Sequence, residues 1–154
     1  MTASVTSIAS VRPKEFHFPV EIEWIGGRRV SAQVEGKHAV EACPPLVFSG
    51  DDASTWSPED FFVAAAASCL AVTFTGIAAR AGLAYDRLTV DADGVCGLRA
   101  DGNFGFTNLW LGLEVETAGD PADARRLAER AEQTCLVAAS LDVPVEVSIV
   151  VNGR

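Results

Sequence analysis

The sequence predicts an α+β fold in which antiparallel strands surround a central apolar helix, with elements in the order βββ-α-ββ-α-β. Three observations carry this expectation. Phe16–Trp24, Tyr85–Val95 and Asn108–Glu116 alternate apolar with polar side chains, the period of a half-buried strand. Phe61–Ala79 runs for 19 residues without a charge and is bracketed by helix-cap residues. Neighbouring strand segments are joined by short turns, which favours antiparallel pairing over a doubly wound sheet. The 154 residues, 49% apolar and 21% charged, suit one domain with its own core.

Residues 1–14 are small, polar and punctuated by proline, and are expected to form a flexible tail ahead of a single domain over residues 15–154. The first strand is Phe16–Trp24. Gly26-Gly27 marks a turn, and Arg29–Gln33 and His38–Ala42 follow as two short strands, with His17 and His38 as strand residues. Cys43–Thr55, with Pro44-Pro45, Gly50 and Asp51-Asp52, is a loop. Ser57-Pro58-Glu59-Asp60 then supplies an N-cap hydroxyl, proline at the first helical position and acids in the first turn. That helix should reach Ala81 and stop at Gly82. Tyr85–Val95 and Asn108–Glu116 form a hairpin connected through Arg99–Gly105. Asp120-Pro121-Ala122-Asp123 opens a second helix that reaches Ser140, and Val145–Val151 closes the chain as a strand.

The net charge of −9 and pI near 4.6 disfavour binding to nucleic acid or to an anionic membrane surface, both of which need a basic face. The uncharged stretch just meets the length of a membrane span. Its alanines, with Ser68, Thr73, Thr75 and Gly76, contribute little to insertion, and a buried core helix is the expected reading. The first residues lack the pattern of a secretion signal, so the expected setting is the cytoplasm, where cysteines stay reduced. Cys43, Cys69, Cys96 and Cys135 include no CxxC pair, and two histidines do not complete a zinc site.

Cys69 lies in the apolar helix and Cys135 in the second helix. Either is compatible with simple core filling. If the two helices pack side by side at about 8–10 Å, inward-facing cysteines come within the range a disulfide needs, and the pair can cycle between dithiol and disulfide. SPEDFFVAAAASCL, AERAEQTCLVAASL and Gly26-Gly27-Arg28 together resemble the OsmC/Ohr family of thiol peroxidases, and the element order agrees. The resemblance implies an intertwined homodimer with central helices and active sites at the interface. It implies that Cys69 attacks the peroxide and becomes a sulfenic acid, and that Cys135 resolves it to an intramolecular disulfide. Arg28 would stabilise the Cys69 thiolate and Glu59 would orient the arginine, with the adjacent Arg29 as a rival. No cofactor is implied; a lipoyl or thioredoxin-like dithiol would reduce the disulfide. The substrate class is organic hydroperoxides, with hydrogen peroxide as a further substrate.

Ten residues of helix separate Glu59 from Cys69 by about 15 Å, so Glu59 cannot serve the Cys69 of its own helix by direct contact. A partner chain with an antiparallel helix would bring them together. Glu59 is equally suited to a simple capping role. Trp56, Phe61 and Phe62 are candidates for an apolar pocket or for core. Cys43 and Cys96 match no family position and are expected to be structural. Many family members carry proline after the second cysteine. Leu136 stands there instead, which puts the approach of Cys135 to Cys69 in question. Two other readings remain: a redox-sensing or small-molecule-binding protein with little turnover, and an Ala-rich structural domain with incidental cysteines.

Overall fold

A computed structural model describes residues 14–154. The expected N-terminal tail therefore lies, apart from Lys14, outside the described residues. Ser57 caps the long helix α1 (Pro58–Ala81) through a reciprocal capping box: its Oγ accepts from Asp60 N at 3.1 Å while its own N–H donates to Asp60 Oδ2 at 2.7 Å. Gly82 ends α1 in the left-handed region, φ 70°, where a side chain would be strained.

The strands form two sheets. β1 (Glu21–Gly26), β2 (Arg29–Gln33) and β3 (Val40–Ala42) make one antiparallel sheet. Phe16–Val20, expected to be strand, lies outside β1. His17 and His38 likewise stand outside the strands. β4 (Arg87–Leu98), β5 (Phe104–Thr117) and β6 (Val145–Gly153) make the second sheet. The β4–β5 hairpin is longer than the alternation suggests, because Arg99 N donates to Asn103 O and closes a tighter connection than Arg99–Gly105. Antiparallel pairing holds for β4 and β5, but β5 and β6 pair in parallel. The cause is α2 (Pro121–Thr134), whose crossover carries the chain from the Thr117 end of β5 back to its Leu109 end before β6 begins. The second helical segment also departs from expectation: it breaks at Cys135 and resumes as the short α3 (Leu136–Ala139).

One face of α1 (Ala66, Leu70, Phe74, Ile77 and Ala78) packs on the alternating inward residues of β5: Leu109, Leu111, Leu113 and Val115. Leu127, Ala128 and Ala131 of α2 complete this core at helical spacing. The α1 hydroxyls do not compete with it, since Ser68 and Thr75 donate to the carbonyls of Ala65 and Val72. The helix is long and apolar enough to cross a membrane by length and composition, and in this fold it is a core helix packed on the second sheet and α2. Its opposite face is open, with Val72 exposed. The first sheet likewise leaves Ile22 and Trp24 exposed, so among the described residues neither surface has an apolar cover.

Replacing Ser57 by Ala removes the reciprocal cap and should destabilise the protein by about 1 kcal/mol. A urea denaturation with unchanged slope and a lower midpoint is the expected result.

Candidate active site

Cys69 sits on the flank of α1 that faces α3, half-buried, and Cys135 sits at the break between α2 and α3, 1% exposed. Both belong to one core seam. The break has a local cause. Thr134 Oγ1 donates to Arg130 O at 2.8 Å, a back-bond that competes with continued helix, and Cys135 turns to an extended conformation, φ −66°, ψ 106°. Leu136, where many family members carry proline, begins a new turn after this break.

The break also exposes backbone donors. Burial pushes the Cys69 thiol up, but the Val137 N–H, the Cys135 thiol, the Thr73 hydroxyl and the Leu136 N–H all act on its sulfur as donors, and together they bring its pKa below the ordinary thiol value. Cys135 moves the other way. Burial raises its pKa, interaction with Cys69 raises it further, and the amides of Ala138 and Val137 offset only part of this. The two shifts run in opposite directions, so Cys69 is the thiol of the pair that ionises more readily. Thr73 and the two amides were not singled out from sequence. The i, i+4 spacing of Cys69 and Thr73 was the signal for the former; the amides had none, because they depend on the break.

The expected charged partners lie elsewhere in the protomer. The Gly26-Gly27 turn, with φ of 116° and 56°, presents Arg28 to the following loop, where its Nη1 donates to the carbonyls of Phe48 and Ser49 at 2.9 and 3.2 Å. Arg29 is committed: its Nη2 lies 3.0 Å from Asp52 Oδ2 and 3.3 Å from Asp51 Oδ1, and its Nη1 donates to Thr55. The Ser54 hydroxyl and amide, then Thr55 and Arg29, hold the Asp52 carboxyl far below the usual range. Between the rivals, Arg28 is the one that makes no ion pair among the described residues.

Glu59 is half-buried, and its Oε2 is buried without a hydrogen-bond partner among the described residues. It opens on a cleft of about 760 Å³ between the N-terminal half of α1 and the β4–β5 hairpin, lined also by Trp56, Val63, Ala67, Cys96 and Phe106. Trp56 thus lines an apolar pocket, while Phe61 stacks on Trp56 and Phe62 on Phe106 behind it. Cys96, expected to be structural, faces this cleft; burial and then the Glu59 charge raise its pKa. Cys43 does fill core, 2% exposed, with its Sγ 3.6 Å from Asp52 O. Cys69 is not among the cleft residues: two positions beyond Ala67, it points to the opposite flank of α1. The structure therefore brings Cys69 and Cys135 together and keeps Arg28 and Glu59 apart from them. Among the described residues no cluster of His, Cys, Asp and Glu suits a metal ion.

The family described as OsmC-like protein matches residues 50–150. The uncharacterized protein YmaD of Bacillus subtilis (strain 168) is 23% identical over 141 residues, 88% of this chain and 93% of that protein. Among solved structures, an OsmC-like protein of Vibrio cholerae superposes with a TM-score of 0.80 at 21% identity, covering 88% of this chain and all of the other. An organic hydroperoxide resistance protein of Elizabethkingia anophelis superposes with a TM-score of 0.72 at 21% identity, covering 93% and 100%.

The opposite shifts of the two thiols make Cys69 the first to be alkylated as pH rises. Iodoacetamide labelling followed by peptide mass spectrometry should give Cys69 a lower midpoint than Cys135. A reversed order would contradict the electrostatic assignment.

Proposed function

Because the chain belongs to the OsmC-like family, we propose that it is a cysteine-based peroxidase that reduces organic hydroperoxides, and hydrogen peroxide as a further substrate, in the cytoplasm. The observation that carries this reading is the Cys69–Cys135 seam, with a pKa lowered on the first thiol and raised on the second. That is the asymmetry a two-thiol reduction needs: a ready nucleophile beside a protonated resolving group.

In this mechanism the Cys69 thiolate attacks the terminal oxygen of R–O–OH. The O–O bond breaks, Cys69 becomes a sulfenic acid, and the alkoxide takes a proton and leaves as the alcohol. The Cys135 sulfur then displaces the sulfenic hydroxyl, forming the Cys69–Cys135 disulfide and releasing water. An external dithiol, of lipoyl or thioredoxin-like type, returns both thiols and supplies the two electrons that the peroxide has consumed. No cofactor enters the cycle.

Arg28 and Glu59 take part across a homodimer. A second copy whose α1 runs antiparallel would cover the open face around Val72 and the exposed Ile22 and Trp24 of the first sheet. It would also give the buried, unpartnered Glu59 Oε2 an arginine to orient. Arg28 suits that part because Arg29 is already held by two carboxylates. Positioned near Cys69, the guanidinium would further favour the thiolate.

Purified protein should consume cumene hydroperoxide in the presence of dithiothreitol or dihydrolipoamide; no turnover with either reductant would sink the proposal. Cys69→Ser should abolish activity. Cys135→Ser should complete one rapid turnover, stall at the sulfenic acid and proceed to sulfinic acid with excess peroxide. Sedimentation equilibrium should return twice the 16.2 kDa chain mass, and a monomer would remove Arg28 and Glu59 from the mechanism.

A further inference from the structure

The inward series Leu109, Leu111, Leu113 and Val115 of β5 would, continued toward the hairpin, present Thr107 to the interior. A bulge intervenes. Val95 pairs with Asn108, whereas Cys96 pairs with Phe106, so Thr107 is the extra residue, and its hydroxyl donates to Val95 O at 3.1 Å. A bulge of this kind re-aims the next side chain, and the one it turns inward is Phe106. The Phe106 ring lies against Phe62 of α1 with centroids 4.2 Å apart and planes 16° from parallel. It can lie there only because Gly94, diagonal to it on β4 and two residues before its register partner Cys96, carries no side chain. A Cβ at Gly94 would stand 2.6 Å from Val63 Cγ2 and 2.7 Å from Phe106 Cε1, closer than real contacts allow. Phe106, Gly94 and Val63 are all walls of the cleft onto which Glu59 opens.

We propose that Gly94 and Phe106 determine the breadth of substrate this cleft admits, holding its aromatic wall back far enough for the branched or aryl group of a bulky organic hydroperoxide. The inference rests on the peroxidase reading above and its homodimer, with the organic part of the substrate lying in the cleft of one protomer and its peroxide group at the Cys69 that the second copy brings to Glu59. Two features of the cleft favour that part over a small polar peroxide. Its α1 side is built from Val63, Ala64 and Ala67, and its hairpin side from Ala92, Gly94 and the flat face of Phe106. Small residues on both sides leave volume; the stacked ring supplies an apolar plane against which an aryl group packs edge or face on. A methyl group added at Gly94 must push the ring or Val63, and Phe62 blocks the ring from moving away from the cleft along the stack.

Gly94→Ala should lower kcat/KM for cumene hydroperoxide about tenfold more than for hydrogen peroxide, the scale on which one methyl group is read in an apolar pocket. Phe106→Leu, which leaves backbone and bulge in place but removes the aromatic plane, should shrink the same preference and serves if the alanine variant does not fold. Binding is read separately by titrating cumyl alcohol, the product, into Cys69→Ser protein and into the Cys69→Ser, Gly94→Ala double variant by calorimetry. The double variant should bind about tenfold more weakly. Equal affinities, or equal losses of kcat/KM on both peroxides, would overturn the inference. Failure of the peroxidase reading looks different: wild-type protein would turn over neither peroxide, while the affinity for cumyl alcohol and its dependence on Gly94 would persist.

Discussion

The packing of one face of α1 on the inner surface of β4–β5–β6 and on α2 governs which way the Cys69 thiol and the Glu59 carboxylate point. Leu70 and Phe74 lock the rotation of the helix by filling the core between Leu109, Leu111 and Leu113, and truncating any one of these leucines typically costs about 2–5 kcal/mol. With that rotation set, Cys69 can only face α3, and Glu59 and Ala67 can only face the β4–β5 hairpin. A helix with so little charge has no polar face of its own to choose an orientation. The large side chains choose it instead, because alanines pack almost anywhere and leucine and phenylalanine do not.

From that orientation follows the division of labour between the two thiols. Cys69 and Cys135 share a seam, yet their environments differ because the chain breaks at Cys135 and turns the amides of Leu136 and Val137 toward the Cys69 sulfur. Fixed amide dipoles need no reorganisation when charge appears, so they stabilise a thiolate more effectively than mobile water would. Cys135, buried and adjacent to that same sulfur, has its pKa pushed up instead. Electrostatics thus separates two chemically identical groups by position alone, without any charged side chain of the protomer taking part.

Several features remain incomplete among the described residues of the protomer. The exposed Ile22 and Trp24, the open face of α1 at Val72, and the unsatisfied Oε2 of Glu59 are deficits of different kinds, apolar area in the first cases and a missing donor in the last. In the homodimer proposed above, a second copy of the chain is what would cover such apolar area and supply such a donor. The committed pairing of Arg29 with Asp51 and Asp52 serves a separate end: it ties the Cys43–Thr55 loop to β2 and so holds the turn to which Arg28 is fastened.

Much of this was legible in the residues. Cap grammar at Ser57 and at Asp120 located both main helices, because N-caps and proline at the first turn act through local hydrogen bonds. Alternation located the long hairpin, and Cys69 and Cys135 stood out as a pair by their places on two helices. Other features depended on contacts between distant segments. The parallel pairing of β6 with β5 follows from where α2 packs, and the extra reach of the hairpin from pairing beyond the alternating stretch. The break at Cys135, read as continuous helix in the sequence, arises from a side-chain back-bond together with a seam that rewards donors aimed at Cys69. The inward turn of Phe106 needed both a bulge in β5 and a glycine on β4, a coincidence no local period encodes. Local sequence determined the elements and the chemistry they carry; only tertiary packing decided which faces meet, because a thiol's pKa and a cleft's width belong to neighbours that lie far along the chain.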